Sequence, residues 1–210
     1  MRRRRTGAFA RGILAAVLAA ALAGCQTGAS FDPAAPCTTD ARMPGAFPEL
    51  ERLVPTKLGD ASATRVDSGR NCTGSSLTTY ASHGVSELRY AGATWDEGGG
   101  NATVIAIMAT PASQPILRQE WVEEFYRAGA LASTKTENVN ATRPTIDRTV
   151  VYRLETLNDL SLQTLLVWSE NGMGGIHVVI VATQVEPNAS RNRHDSRVEE
   201  ALAASKAVPG

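Results

Sequence analysis

The sequence predicts an α+β domain in which a five-stranded, mainly antiparallel sheet carries a long helix on one face and short flanking helices. Three observations support this. Residues 87–95 and 103–110 read as two strands joined by the turn-rich Asp96-Glu97-Gly98-Gly99-Gly100-Asn101. Residues 115–131 place Trp121, Val122, Phe125 and Ala128 at helical spacing, with Glu120, Glu123 and Glu124 in the earlier half and Arg127 towards the end, where each charge suits the helix dipole. Residues 149–156, 161–169 and 175–183 read as three further strands in an antiparallel meander, punctuated by Asn158-Asp159 and by Asn171-Gly172-Met173-Gly174-Gly175.

Composition bounds the rest. The chain has 210 residues, 43% hydrophobic and 20% charged, which excludes wholesale disorder and a polytopic membrane protein and leaves one globular domain over residues 37–210. The net charge of zero hides an asymmetry, because Arg2, Arg3, Arg4, Arg5 and Arg11 all lie at the N-terminus. Without these five, 16 basic residues face 21 acidic ones, a balance near −5. Phosphate-backbone binding needs clustered Lys and Arg, so nucleic acid is not an expected partner.

The arginines precede an apolar run at residues 12–23, too short for the roughly 20 residues of a spanning helix, and residues 1–24 therefore read as a secretory signal peptide. Leu22-Ala23-Gly24-Cys25 resembles the lipobox of bacterial lipoproteins at every position. That resemblance implies cleavage before Cys25, acylation of its thiol, and attachment to membrane lipid on the extracytoplasmic side of the cell envelope. Two acyl chains suffice for stable attachment. The arginine run lacks the hydrophobic consensus of a twin-arginine signal, since Thr6-Gly7-Ala8 follows it. Gln26 differs from the aspartate that marks inner-membrane retention in related lipoproteins.

Residues 25–36 form a tether of small, polar and Pro residues, with a reach of roughly 18 Å if flexible. Cys37 and Cys72 are the two cysteines left after Cys25 is acylated, and export favours a disulfide between them. The enclosed segment, residues 37–72, is rich in Pro, Gly, Ser and Thr and promises little core. Residues 75–83 suggest a short helix with Leu77, Tyr80 and Ala81 on one side, stopped by Gly84. The 103–110 strand is apolar on both faces and belongs at the sheet centre, as does 175–183. The 149–156 strand alternates Val150, Tyr152 and Leu154 with Val151, Arg153 and Glu155, which suggests a wet face near an edge. A last helix over residues 193–207 offers only Val198, Ala201 and Leu202 and should dock loosely.

No catalytic residue stands out. His83, His177 and His194 fit no metal-binding spacing, and neither a metal nor another cofactor is implied. His194-Asp195-Ser196 has the letters of a hydrolase triad, but adjacent residues do not converge as a triad must. No nucleophile elbow, P-loop or dinucleotide fingerprint occurs. The candidate binding surface is the turn that follows Trp95, where Asp96, Glu97 and Asn101 surround three glycines beside an aromatic expected to be partly exposed. Asn-x-Ser/Thr sequons at Asn71, Asn101, Asn140 and Asn188 suggest surface loops.

Segments 68–72, 87–95 and 124–129 resemble those of bacterial lipoproteins to which no activity is attached. The anchor, the tether and the absence of a catalytic constellation point instead to a membrane-anchored, non-catalytic binding or interaction module, with an envelope protein, a glycan or a small apolar ligand as candidate partner. One alternative is a carrier of a small apolar ligand between sheet and helix, similar in outline to PsbP-like lipoproteins. Another is an extracytoplasmic hydrolase using His83 or His177 with a nearby carboxylate. An apolar pocket favours the carrier, whereas an imidazole in reach of both a carboxylate and a hydroxyl favours the hydrolase. For the anchor, Cys25→Ser should move the protein from the detergent phase to the aqueous phase on phase partitioning. Unchanged partitioning of the variant would reject acylation at Cys25.

Overall fold

Strands that are apolar on both faces pair at the centre of one sheet, and polar strands flank them. The computed structural model describes residues 31–158, 161–170, 175–185 and 190–208. In chain order the elements are β1 (Ala41–Met43), α1 (Pro48–Glu51), β2 (Lys57–Leu58), β3 (Ala61–Ser62), β4 (Arg65–Asn71), α2 (Gly74–Leu77), α3 (Thr79–Ser82), β5 (Leu88–Gly98) and β6 (Asn101–Ala109). There follow α4 (Gln119–Ala132), β7 (Thr136–Thr142), β8 (Thr145–Ile146), β9 (Thr149–Val150), β10 (Tyr152–Asn158), β11 (Ser161–Ser169), β12 (Ile176–Gln184) and α5 (Ser190–Lys206). Eight strands form one antiparallel sheet in the order β1-β4-β5-β6-β12-β11-β10-β7, while β2-β3 and β8-β9 are small separate ribbons.

The α+β class and the antiparallel meander β10-β11-β12 agree with the sequence. The strand number does not: the sheet has eight strands, not five. The three missed strands, β1, β4 and β7, are polar. β4 reads Arg-Val-Asp-Ser-Gly-Arg-Asn, which looks like a turn, yet its residues from Asp67 onward are buried. Distant groups satisfy them. Asp67 pairs with Arg65 at 3.2 Å and Arg42 at 3.8 Å, Arg70 donates to the Ala35 carbonyl at 2.6 Å, and Ser68 Oγ accepts from Phe47 N and donates to Glu51, each at 2.7 Å. Such partners offset the cost of burying polar groups, and all of them except Arg65 are distant in sequence.

Each sheet face has its own core. One face packs Ile105, Ile107, Leu166, Trp168 and Val179 beneath α5 and α1, and the other packs Met108, Leu165, Val167 and Val178 beneath α3 and α4. Neighbouring residues of β11 go to opposite faces, Leu165 and Val167 to one and Leu166 and Trp168 to the other, as strand geometry requires. The 37–72 segment contributes more than its composition suggests, since Phe47, Leu50, Val54 and Leu58 are all core residues. Cys37 and Cys72 are bridged, with Cα atoms 5.5 Å apart. α5 also docks closely: Val198, Ala201 and Leu202 are buried. β10 lies next to the edge strand β7, near an edge as expected, but its polar face is not wet: Arg153 and Glu155 are covered by Arg191 and Asp195 of α5. The 75–83 helix is two single turns, α2 and α3, separated by Thr78 at φ 37°. Of the sequons, Asn71 is a buried strand residue and not a surface loop, Asn101 is partly buried, Asn140 is exposed, and Asn188 lies outside the described residues.

Trp121 is half-buried on α4, while Val122 beside it is fully enclosed. Truncating Trp121 therefore opens a solvent-filled notch more than a cavity, and Trp121→Ala should cost about 1–2 kcal/mol. Trp168→Ala should cost about 3–5 kcal/mol, because that side chain is inaccessible and leaves a void. Urea unfolding of the two variants checks the order, and a Trp121 loss equal to the Trp168 loss would contradict it.

Candidate functional site

Side-chain volume falls sharply along α4. Its first half carries Trp121, Val122, Phe125 and Tyr126, but after Arg127 the helix continues Ala128-Gly129-Ala130-Leu131-Ala132. Leu131 points outward at 63% exposure, so only Ala and Gly face the sheet there. The helix cannot close against the strands. A cleft of about 670 Å³ remains between the second half of α4 and β10, β11 and β12, within the usual range of small-ligand sites.

Leu154, Thr156, Leu165, Ile180 and Ala182 line the floor, with Phe125 at the inner end of the roof. Ser75, Thr78 and Thr79 form one wall, and residues 133–136 form the other side. A β-branched residue at positive φ is strained, so Thr78 is held in an unfavourable conformation at the wall itself. Two polar atoms of the lining, Thr79 Oγ1 and Asn158 Oδ1, are buried without a hydrogen-bond partner among the described residues. Such atoms are costly unless something else satisfies them.

The first half of α4 is tied down and the second is not. Ser169 N donates to Gln119 Oε1 at 3.1 Å, Gln119 Nε2 donates to Glu123 at 3.0 Å, and Arg143 pairs with the same buried Glu123. His83 Nε2 lies 2.7 Å from Glu124 and its ring stacks on Trp121, while Tyr80 stacks on Phe125. From Ala128 to Ala132 no side-chain hydrogen bond or ion pair reaches another described residue.

The sequence-predicted surface is arranged differently. Trp95 is folded into the core at 2% exposure, its Nε1 donating to the Ala61 carbonyl at 3.1 Å, because β2-β3 and α5 cover that sheet face. Asp96 Oδ1 accepts from Gly98 N at 2.9 Å, and Asn101 Oδ1 accepts from Gln184 N at 2.9 Å. Glu97 pairs with Arg197 of α5. Gly98, Gly99 and Gly100 all have positive φ, which explains the triple glycine as turn geometry. The four residues share one hairpin, but no exposed aromatic accompanies the carboxylates. Cys25 lies outside the described residues.

Among the described residues, none of the three imidazoles is hydrogen-bonded to both a carboxylate and a hydroxyl. His83 has its carboxylate alone. His194 is buried between two hydroxyls, Thr164 Oγ1 at 2.8 Å from Nε2 and Thr183 Oγ1 at 3.0 Å from Nδ1. His177 stacks on Trp168, and neither ring nitrogen has a partner among the described residues. No group of three His, Cys, Asp or Glu side chains converges among the described residues. Sequence reasoning raised a pocket between sheet and helix only as an alternative and named none of its lining residues, although the run of small residues after Phe125 was its visible signal.

The buried imidazoles make stability depend on pH. Burial is the largest cause holding both His177 and His194 below the usual 6.5, with Glu170 and Asp195 acting in the opposite direction. Below pH 6.5 the unfolded chain takes up protons that the folded state resists. Stability should therefore be level above about pH 7 and fall as pH drops through 6.5, by up to about 1.4 kcal/mol per pH unit for each imidazole. Urea midpoints between pH 8 and pH 5 measure this, and His194→Gln should flatten the slope. A slope unchanged in that variant would remove His194 from the account.

Compared with known proteins, the chain matches no family model, no curated sequence and no solved structure, so a role for the cleft stands on its own geometry.

Proposed function

We propose that the protein is a lipid-anchored, extracytoplasmic binding module that carries a small apolar ligand between α4 and its sheet. The observation that carries this reading is the cleft itself, walled by Leu154, Leu165, Ile180 and Phe125 and roofed by residues too small to fill it. A helix packed on a sheet ordinarily presents large apolar side chains along its inner stripe, and their absence over more than a turn leaves apolar surface that a ligand can cover. Acylated Cys25 and the tether would hold the cleft beside the membrane, the natural reservoir of apolar molecules. The hydrolase alternative has less support, since no imidazole is placed to activate a hydroxyl with carboxylate assistance.

Native mass spectrometry of the protein carrying Cys25→Ser, exported by its own cell and purified without detergent, tests the reading. A bound adduct of a few hundred daltons is expected, by the usual size of ligands in such sites. The variant Gly129→Phe should lose it while remaining folded, because a Cβ at Gly129 meets no atom within 4 Å and its φ is not positive. An adduct unaffected by that substitution, or bare protein that also fails to take up any apolar probe, would overturn the proposal.

A further inference from the structure

The cleft floor changes polarity in one direction. Register places Leu154 beside Leu165 and Leu165 beside Ile180, which makes one apolar row across β10, β11 and β12. The next row on the same face pairs Thr156 with Gln163 and Gln163 with Ala182, and the one after pairs Asn158 with Ser161. Successive rows are about 7 Å apart, so the floor passes from hydrocarbon to hydrogen-bonding groups over roughly 14 Å.

Independent features mark the polar end. Ser161 Oγ, in a residue only 4% exposed, and Asn158 Oδ1 are both buried without hydrogen-bond partners among the described residues. Thr136 of β7 pairs with Asn158, which brings the preceding residue, Lys135, to the same end. Lys135 is exposed, and among the described residues it is the only charged one lining the cleft and has no ion-pair partner. Glu137 pairs with Leu157 and so lies on the opposite face of the sheet. Lys135 and Asn158 of the lining therefore belong to the end where the apolar row stops.

We infer that the ligand is a single-chain amphiphile with a carboxylate head, a long-chain fatty acid in chemical class. This rests on the reading of the cleft as an apolar-ligand site and names what fills it. The chain lies along Leu165 and Ile180 beneath Ala130, where the lining offers aliphatic surface, and the head meets the ammonium of Lys135. A single ammonium matches one negative charge, whereas a phosphate head is ordinarily met by several cations or an arginine fork. Of the unpartnered lining atoms, the Thr79 hydroxyl can donate to an acceptor, whereas Asn158 Oδ1 can only accept and is a partner for a donor such as the Lys135 ammonium, not for the carboxylate.

The test uses the full chain carrying Cys25→Ser, stripped of endogenous ligand on a hydrophobic resin, with dansylaminoundecanoic acid as fluorescent reporter. Hexadecanoate, hexadecanol and a lysophospholipid compete for it. Hexadecanoate should displace the reporter at concentrations about tenfold lower than hexadecanol, the scale of a charge-assisted hydrogen bond. Lys135→Met should weaken hexadecanoate by about that factor and leave hexadecanol unchanged, and Gly129→Phe should abolish both. Equal competition by acid and alcohol, retention of the preference in Lys135→Met, or stronger competition by the lysophospholipid would overturn the carboxylate assignment while leaving an apolar-ligand site. Failure of the reporter and all three competitors to bind, with circular dichroism showing a folded protein, would overturn both.

Discussion

Pairing of β6 with β12 is the constraint on which the molecule depends. Ile105 and Ile107 lie beside Val179 and His177, and Val104 and Met108 beside Ile180 and Ile176, so the central strands present apolar side chains to both sides at once. A sheet of this kind is unstable until both faces are covered. α5 and the disulfide-closed segment cover one, and α3 and α4 cover the other. The connections follow from that need. The chain after β6 crosses to the second face as α4 and returns through β7, and the chain after β12 turns back over the first face as α5.

Covering both faces forces polar residues inside. Asp67 illustrates the cost: burial raises its pKa despite two arginines nearby, so the arginines offset only part of its desolvation. Asp40 is the opposite case, because the Cys72 and Thr73 amides and the Ser76 and Thr73 hydroxyls hold its carboxylate below the usual range although burial alone would raise it. It clamps the start of α2 next to the disulfide. The two short turns that wall the cleft thus hang from a rigid point, and the strain at Thr78 is held between that point and the stack of Tyr80 on Phe125.

The cleft is consistent with the same economy. Dispersion contacts are forfeited where Ala and Gly replace larger residues under a helix, and the bulky half of α4, tied by Gln119, Glu123 and Glu124, retains the packing that keeps the helix in place. Bulky side chains at one end and open space at the other are properties of a single element. They come from the order of its residues and not from a separate loop or lid.

By itself the sequence determined the elements whose pattern is local. Two-sided apolar runs specified β6 and β12, the turn residues specified the meander, and helical spacing specified α4 and α5, because side-chain periodicity and backbone sterics act within a few residues. The tertiary structure alone decided the strands β1, β4 and β7, which become strands only when distant segments satisfy or pair with them, as Arg42 and Phe47 do for β4 and β10 does for β7. It likewise turned Trp95 inward, because the cover for that face comes from residues nearly forty positions before and a hundred after. The cleft belongs to the same class. Its small roof residues are legible in α4, but the row of Leu154, Leu165 and Ile180 that faces them exists only once register aligns three strands, a relation fixed by hydrogen bonding between segments and carried by no one of them.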